Sequence, residues 1–209
     1  MGGYPVCLEL AGQPCLVIGG GPVAERKVEG LLAAGAAVTV VSPSLTAGLA
    51  ALAHGGRIRH VAREYEPGDL ARQRLALVAT GKRQVDAAAS REGRERGVWV
   101  NAADDPDRCD FTLPAVVRRG DLLVAVSTGG ASPALARAVR EELEGQLPEA
   151  YAALADIVAE VRRELRQRAC SPGGEAWRRA LDADLRRLVA EGRREEAKAH
   201  LLARLAPCP

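Results

Sequence analysis

Residues 14–24 read PCLVIGGGPVA, an apolar run followed by three glycines and then by the start of a helical pattern. The glycines and Ala24 have the spacing Gly-x-Gly-x-x-Ala, which is typical of a dinucleotide-binding turn between a strand and a helix. In such a turn Gly19 permits the tight bend, Gly21 lets a pyrophosphate approach the backbone, and Ala24 lets the helix pack closely. Free N–H groups at the helix start favour phosphate there. The stretch therefore predicts a dinucleotide site rather than a tight turn alone.

Apolar runs and amphipathic helical patterns alternate through roughly the first half of the chain. The alternation predicts a parallel sheet with helices on both faces, a Rossmann-like doubly wound α/β fold. We predict strands at Pro14–Ile18, Ala37–Val41, Arg57–Val61, Leu75–Ala79 and Val98–Asn101. We predict a helix at Val23–Ala34, which Gly35 can end by taking a left-handed conformation, and a helix at Arg83–Arg96, which Gly97 closes.

Two further apolar runs, Phe111–Val117 and Leu122–Ser127, are joined by a polar turn and predict a β-hairpin. A helix follows, with Pro133 at its first position. Because a hairpin and one helix cannot bury their apolar faces alone, we expect this β-hairpin/helix region to be a dimerisation element. We therefore predict three parts, namely an NAD-binding domain (1–110), the dimerisation element (111–147) and a C-terminal helical region (148–209).

Composition excludes several other classes of protein. The formal net charge is +2, from 29 Lys and Arg against 27 Asp and Glu, so no basic surface for nucleic acid is predicted. No apolar run approaches the ~20 residues of a membrane span. The five cysteines form no Cys-x-x-Cys pair and the three histidines are scattered, so we expect reduced thiols and no metal site. The expectation is a cytoplasmic protein without a nucleic-acid or membrane partner.

The end of the second predicted strand lacks one feature of many dinucleotide folds. Residues 40–44 read VVSPS and contain no Asp or Glu for the ribose hydroxyls, so we expect Ser42 or backbone groups to replace it. No Arg follows the strand to receive a 2′-phosphate, which favours NAD over NADP. The predicted cofactor contacts are Gly19, Gly21, Pro22, Val23, Ser42, Pro43, Ser44, Thr80 and Asn101.

Catalytic groups are expected beyond the strand ends, because α/β sheets bind ligands outside the carboxyl ends of their strands. Asn101 lies there and either orients a ligand amide or caps its own loop. Asp104 and Asp105 follow as candidates for a base that takes a proton while a hydride leaves, or as residues that stabilise the turn. There is no Tyr-x-x-x-Lys pair of the kind expected in short-chain dehydrogenases.

A second glycine-rich segment, Thr128-Gly129-Gly130, precedes the helix start at Ser132. Backbone donors and the positive end of a helix dipole predict a cradle for anionic groups of a substrate. Arg137 lies nearby and either binds a carboxylate or is simply solvated. The predicted substrate contacts are Thr128, Gly129, Gly130 and Arg137.

Three blocks of sequence carry a resemblance to a known family: VIGGGPVAERK at 17–27, VNAADDP at 100–106 and VAVSTGGASPALAR at 124–137. The chain resembles precorrin-2 dehydrogenases, which also occur as the N-terminal module of siroheme synthases. The resemblance implies a homodimer that uses NAD to oxidise precorrin-2 to sirohydrochlorin, for siroheme or cobalamin. It also implies that Asp104 is the catalytic residue, whereas Thr128 replaces a serine that some relatives carry. Some relatives also insert Fe(II) into sirohydrochlorin, and the sequence leaves that ferrochelatase activity open.

A non-enzymatic NAD-sensing module is the alternative from another class of protein. It would use residues 19–24 in the same way, but it gives no reason for residues 101–105 or for the second glycine-rich helix start. A dehydrogenase of small alcohols or amines is disfavoured because the acid–base residues that such substrates need are missing.

Overall fold

The computed structural model of the chain describes residues 3–103 and 105–205. Contacts divide the chain into two compact units, which meet in sequence between Leu113 and Pro114. This division lies close to the predicted boundary at residue 110. The residues on both sides of the other predicted boundary, at 147, belong to the second unit, and the separate role of 111–147 stays a prediction.

A five-stranded parallel sheet forms the centre of the first unit, in the order β3-β2-β1-β4-β5. The strands are β1 (Pro14–Ile18), β2 (Ala37–Val41), β3 (Arg59–Val61), β4 (Leu75–Val78) and β5 (Trp99–Ala102). The chain runs outward from β1 to β3 and then returns to the other side of β1 for β4. Ligand crevices form at such a reversal, outside the carboxyl ends of the strands. This topology confirms the predicted fold class.

Three helices flank the sheet in the described part of this unit: α1 (Pro22–Ala33), α2 (Ala47–His54) and α3 (Arg83–Arg96). Gly35 and Gly97 follow α1 and α3 with φ of 73° and 68°, as predicted. Sequence reasoning missed α2, because its small apolar residues show no helical alternation of polarity. Its start is marked by Thr46, whose hydroxyl accepts the N–H of Leu49 at 3.2 Å.

Both faces of the sheet are buried. Successive residues of a strand point to opposite faces, and accordingly Val17 packs with Val28 of α1 and Leu49 of α2, whereas Ile18 packs with Ala89 of α3. The continuous apolar sequence of β1 follows from this two-sided cover, since neither face of the strand meets water.

A buried carboxylate fastens the loop between β3 and β4 to α3. Glu92 is 6% exposed and accepts hydrogen bonds from the Tyr65 hydroxyl at 2.6 Å, the Gly68 N–H at 2.9 Å and Arg96 at 2.7 Å. Burial by itself raises the pKa of Glu92, but these hydrogen bonds outweigh burial and lower the pKa overall. Burial and the same contact raise the pKa of Tyr65.

The second unit begins with the predicted hairpin, formed by β6 (Ala115–Arg119) and β7 (Leu122–Val126). The first strand starts later than predicted, because Phe111 belongs to the first unit and its carbonyl accepts a hydrogen bond from Asn101 at 2.9 Å. The strand also continues further, and Gly120, with φ of 57°, makes the turn.

Helix α4 (Pro133–Gln146) packs on this hairpin. Arg119 of β6 is largely buried and donates to the carbonyl of Leu147 at 2.8 Å, just beyond the end of the helix. A cation at this position satisfies a helix-terminal carbonyl and complements the negative end of the helix dipole. Arg119 therefore fastens the hairpin to the carboxyl end of α4.

Four more helices follow in the described residues: α5 (Ala150–Gln167), α6 (Gly174–Ala180), α7 (Ala183–Ala190) and α8 (Arg194–Leu205). Their shared core includes Ile157, Leu185 and Leu201. Cys170 is disulfide-bonded, so the prediction of reduced thiols is wrong at this residue. A disulfide depends on proximity in the fold, which scattered sequence positions do not reveal. Within 3–103 and 105–205, no helix is long and apolar enough to cross a membrane.

Candidate functional site

The glycine turn lies at the carboxyl end of β1, where it meets the ends of both neighbouring strands. Gly19 has φ of 122°, a conformation that favours glycine, and a Cβ there would lie 2.4 Å from the carbonyl oxygen of Ala79. Its N–H donates to the carbonyl of Val41 at 3.0 Å. A side chain at Gly19 would therefore push β4 away from the turn.

The middle glycine of the motif is enclosed by the loop that follows β2. A Cβ on Gly20 would lie 1.9 Å from the carbonyl oxygen of Ser44 and 2.7 Å from Oγ of Ser42. The Gly20 carbonyl also accepts the N–H of Thr46 at 2.9 Å. Gly20 therefore locks this loop against the turn. Sequence reasoning missed this role because the motif treats the position as free.

Ser42 lies beneath the turn and is 6% exposed. Its hydroxyl donates to the Ser44 carbonyl at 2.7 Å, and its own carbonyl accepts from Nε2 of His60 at 2.9 Å. Pro43 and Ser44 are exposed on the surface of the loop. The described contacts give Ser42 the role of shaping this loop, and its predicted contact with a ribose stays a prediction.

The third glycine differs from the other two because it is open. Gly21 precedes α1 with φ of −86° and ψ of −177°, and no described atom would lie within 4 Å of a Cβ there. Pro22 has no N–H, and no side chain of a described residue caps the helix. The N–H groups of Val23 and Ala24, which have no partner within the helix, are left for an anion. The donor set and the space that a Cβ would fill fit the pyrophosphate of a dinucleotide.

Thr80 follows β4 and lies beside the turn, since its backbone nitrogen would be 3.5 Å from a Cβ on Gly19. Its hydroxyl donates to Asp86 at 3.1 Å and accepts the N–H of Lys82 at 3.0 Å. Asp86 is 5% exposed on α3. The structure thus brings Thr80 next to the glycine turn and also uses its hydroxyl to shape the start of α3.

Asn101, at the end of β5, is 8% exposed and joins three elements. Its Oδ1 accepts a hydrogen bond from Nζ of Lys27 at 2.9 Å, and its Nδ2 donates to the Phe111 carbonyl at 2.9 Å and to Sγ of Cys109 at 3.5 Å. Burial raises the pKa of the Cys109 thiol, which stays protonated and donates to the Ala102 carbonyl at 3.2 Å. These contacts correspond to the loop-capping alternative, and a contact of Asn101 with the cofactor stays a prediction.

The loop after β5 is anchored where it returns to the strand. Asp110 donates its N–H to the carbonyl of Val100 and accepts the N–H of Val100 on its carboxylate, both at 2.8 Å. Asp105 forms an ion pair with Arg108 at 2.7 Å, which corresponds to the turn-stabilising alternative. Asp104, the predicted catalytic residue, lies outside the described residues.

The predicted substrate loop lies in the second unit. Gly129 and Gly130 have φ of 63° and 87°, and the predicted helix start is present, with Oγ of Ser132 accepting the N–H of Leu135 at 3.1 Å. The Thr128 hydroxyl accepts the Ser132 N–H at 3.0 Å and donates to the Ser132 carbonyl at 3.1 Å. The hydroxyl therefore closes the loop onto the helix start. Contacts of 128–130 with a substrate stay predictions.

Arg137 lies exposed on α4, where its guanidinium meets solvent. Arg119 of β6, by contrast, already donates to the Leu147 carbonyl and forms ion pairs with Glu144 and Glu149 at 3.8 and 3.3 Å. The structure thus leaves Arg137 accessible to a charged substrate, and that contact stays a prediction.

Known families match the two parts of the chain. A family model described as "Putative NAD(P)-binding" matches residues 6–115, and one described as "Sirohaem biosynthesis protein central" matches residues 119–146. The siroheme synthase of Methylococcus capsulatus is 43% identical over 200 residues, which cover 95% of this chain and 42% of that protein. Siroheme synthase 1 of Aeromonas salmonicida is 42% identical over 202 residues, which cover 95% and 43%. The chain thus spans less than half the length of these curated relatives.

A solved structure titled "SirC, precorrin-2 dehydrogenase" is similar to the chain with a TM-score of 0.77 and 28% sequence identity. The similarity covers 95% of this chain and 98% of that one. The fold and the open helix start at Gly21 define a Rossmann-like NAD(P)-binding protein. The chain belongs to the family described as "Putative NAD(P)-binding", and it is similar to siroheme synthases and to a precorrin-2 dehydrogenase, as the resemblance of its sequence blocks predicted.

Proposed function

We propose that this protein is a cytoplasmic NAD-dependent precorrin-2 dehydrogenase, which produces sirohydrochlorin for siroheme or cobalamin. The observation that carries the proposal is the open helix start at Gly21, at the carboxyl edge of the sheet. It occurs in a chain whose fold is similar to that of SirC precorrin-2 dehydrogenase over nearly all of that protein. The exposed residues Pro43 and Ser44 offer no cation for a 2′-phosphate, which favours NAD over NADP.

The backbone supplies the proposed contacts with the cofactor. The N–H groups of Val23 and Ala24 bind the pyrophosphate, and the missing Cβ of Gly21 lets it approach. The side chain of Val23, which is 41% exposed, adds an apolar surface next to these donors. When bound, NAD supplies the redox chemistry by accepting a hydride from the substrate.

Asp104 takes the proton that leaves precorrin-2 together with the hydride, so that the substrate loses two hydrogens in all. Two observations favour Asp104 over Asp105. Asp104 matches the aspartate that the family resemblance ties to activity, and the carboxylate of Asp105 is paired with Arg108. The loop that carries both residues is anchored to β5. Asn101 of this strand donates a hydrogen bond to the Phe111 carbonyl, and the carboxylate of Asp110 accepts the N–H of Val100.

The carboxylates of the tetrapyrrole are proposed to be held by Arg137 and by the backbone of 128–130. Charge-assisted hydrogen bonds from arginine to carboxylate are among the stronger polar contacts, and Arg137 is exposed and available for one. The left-handed conformations of Gly129 and Gly130 shape the loop ahead of the α4 helix start.

An anaerobic assay with enzymatically generated precorrin-2 and NAD tests the proposal, with sirohydrochlorin and NADH followed by absorbance. The wild type should form both products in equal amounts, and Asp104→Ala should lower kcat by about 10²-fold or more. Asp107→Ala is the matched control, because Asp107 is an exposed carboxylate on the same loop. Its kcat should stay within about twofold of wild type.

NAD binding without turnover by the wild type would contradict the dehydrogenase and favour the NAD-sensing module. Equal activity of the Asp104 and Asp107 variants would remove Asp104 from the mechanism. Adding Fe(II) to the same assay shows whether sirohydrochlorin is consumed further, which tests the ferrochelatase activity separately.

We also propose a homodimer formed through the hairpin and α4. Leu135 of α4 is 55% exposed and Val116 of β6 is 37% exposed, so this region presents large apolar side chains to solvent. Leu135→Glu should convert a dimer to a monomer in light scattering coupled to size-exclusion chromatography. Arg162→Glu, at an exposed position on α5, is the control for added negative charge and should remain dimeric. A dimer that survives Leu135→Glu would contradict this interface.

A further inference from the structure

We propose that Lys27 is a positioning residue for the dehydrogenation, acting through Asn101 on the loop that carries Asp104. The inference rests on the proposed function and adds a residue to it. Lys27 lies on α1, the same helix whose first turn forms the open cradle at Gly21. It therefore connects the helix that holds the cofactor with the loop that handles the proton.

The connection is a chain of direct contacts. Nζ of Lys27 lies 2.9 Å from Oδ1 of Asn101, across 74 residues of sequence. Nδ2 of Asn101 lies 2.9 Å from the Phe111 carbonyl and 3.5 Å from Sγ of Cys109. Asn101 therefore links Lys27 of α1 to Phe111, where the loop returns to β5.

Lys27 and the Phe111 carbonyl together determine which way the Asn101 amide faces. An ammonium group only donates hydrogen bonds, so the amide oxygen must face Lys27. A backbone carbonyl only accepts, so the amide nitrogen must face Phe111. Without the ammonium, the amide loses the partner that fixes its oxygen, and the orientation of Asn101 rests on Phe111 and Cys109 alone. Asn101 is 8% exposed, so water cannot fully replace the missing donor.

Asn101 is one of several residues that hold this loop, and its contact with Phe111 lies at the returning end, whereas the Ser90 hydroxyl of α3 donates to the Arg108 carbonyl at 3.1 Å. Cys109 donates to the carbonyl of Ala102, and Asp110 is paired with the backbone of Val100. Both contacts fasten the segment to the outer edge of β5, next to Asn101. Hydride and proton transfer require reacting groups to be placed to within a fraction of an ångström, and a displacement of about 1 Å can cost ~10²-fold in rate. If this end of the loop becomes less firmly held, kcat should therefore fall by a larger factor than the affinity for NAD.

The position of Lys27 on the helix supports this separation of effects. It lies five residues after Pro22, or about 8 Å along the helix axis from the first turn. The pyrophosphate cradle consists of backbone groups at the helix start, and these do not need the ammonium. Loss of Lys27 should therefore leave the affinity for NAD largely unchanged.

Steady-state kinetics of the full-length protein with precorrin-2 and NAD test the inference, with Lys27→Met as the main variant. Methionine keeps most of the length of the side chain but cannot donate. We expect kcat to fall by about 10- to 100-fold, with the KM for NAD within about threefold of wild type. Lys198→Met is the matched control, since Lys198 forms only surface ion pairs with Glu160 and Glu164 in the second unit. It should keep wild-type kinetics.

Two further variants show whether Lys27 acts through Asn101. Asn101→Leu should also lower kcat, and the double variant should be no slower than the slower single variant, because both changes remove the Lys27–Asn101 contact on which the inference depends. Lys27→Gln retains a donor on a shorter side chain and should have a kcat between those of Met and wild type. If Lys27→Met does not fold, the kcat of Lys27→Gln is compared with those of wild type and Lys198→Met.

The outcomes distinguish a failure of the proposed function from a failure of the Lys27 inference. A wild type without turnover defeats the proposed function, and the Lys27 inference falls with it. An active wild type combined with an unchanged kcat in Lys27→Met defeats the inference alone. A rise in KM for NAD at constant kcat, or fully multiplicative effects in the double variant, also defeats it, because Lys27 would then serve the cofactor or act independently of Asn101.

Discussion

Replacing Gly21 with alanine should weaken NAD binding without unfolding the protein. The backbone at Gly21 has φ of −86° and ψ of −177°, which alanine adopts freely, and no described atom lies within 4 Å of the new Cβ. We therefore expect the free energy of unfolding to change by less than about 1 kcal/mol. The methyl group would instead occupy the space at the open start of α1.

The cost should appear only when the dinucleotide binds. A methyl group forced into a close contact costs about 1–3 kcal/mol, which corresponds to roughly a 5- to 150-fold rise in Kd. Isothermal titration calorimetry with NAD measures this change directly. Ligand-linked stability gives a second measure: a ligand at 100 times Kd stabilises by about 2.7 kcal/mol, and a 50-fold weaker complex at the same concentration by about 0.7 kcal/mol.

Gly30→Ala is the matched control. Gly30 lies in the same helix, and a Cβ there would also meet no described atom within 4 Å. This variant should gain about 0.5–1 kcal/mol from helix propensity and bind NAD with wild-type affinity. A folded Gly21→Ala protein with the wild-type Kd would refute the assignment of the cradle, because the pyrophosphate would then lie elsewhere.

The remaining predictions concern the contacts around the site. Gly20→Ala should destabilise the protein by about 1–3 kcal/mol in urea denaturation, because its Cβ would meet the Ser44 carbonyl at 1.9 Å; a fully stable variant would contradict the lock. Glu92→Gln should cost about 1–3 kcal/mol at pH 7. The lowered pKa of Glu92 stabilises the fold above about pH 4.5, and this contribution is lost as pH falls through the folded pKa. The difference in the free energy of unfolding between Glu92→Gln and wild type should therefore shrink toward pH 3. A difference that stays constant with pH would contradict this role. Thr128→Val should destabilise the second unit by about 1 kcal/mol, whereas Thr128→Ser should not, because only the hydroxyl binds Ser132; equal melting temperatures would refute this role.

The features that sequence predicted well are those that neighbouring residues determine. The turn at Gly19, the helix that follows it and the left-handed end of α3 at Gly97 each depend on a few adjacent residues. Parallel strands buried on both faces gave continuous apolar runs, so β1 and β2 have the predicted bounds. Helix α2 was missed because its small apolar residues carry no period, and only the cap at Thr46 marks its start.

The features that sequence could not predict depend on contacts between distant residues. The apolar run that begins at Phe111 predicts a strand there, yet the Phe111 carbonyl instead closes the loop onto Asn101. The contact of Lys27 with Asn101 joins positions 74 residues apart, and no local pattern indicates it.

The contrast between local backbone geometry and contacts of distant side chains also predicts which substitutions change cofactor binding and which change turnover in the proposed enzyme. The cradle for NAD is made of backbone groups whose geometry depends on glycines, so substitutions there should change Kd. The loop that is proposed to handle the proton contacts Asn101 of β5, which in turn contacts Lys27 of α1, so we expect substitutions at Lys27 or Asn101 to change kcat. Because the proposed cradle and Lys27 both lie on α1, this helix would set the position of the cofactor relative to that loop. We therefore expect the two functions to be separable by mutation although they share one element of the fold.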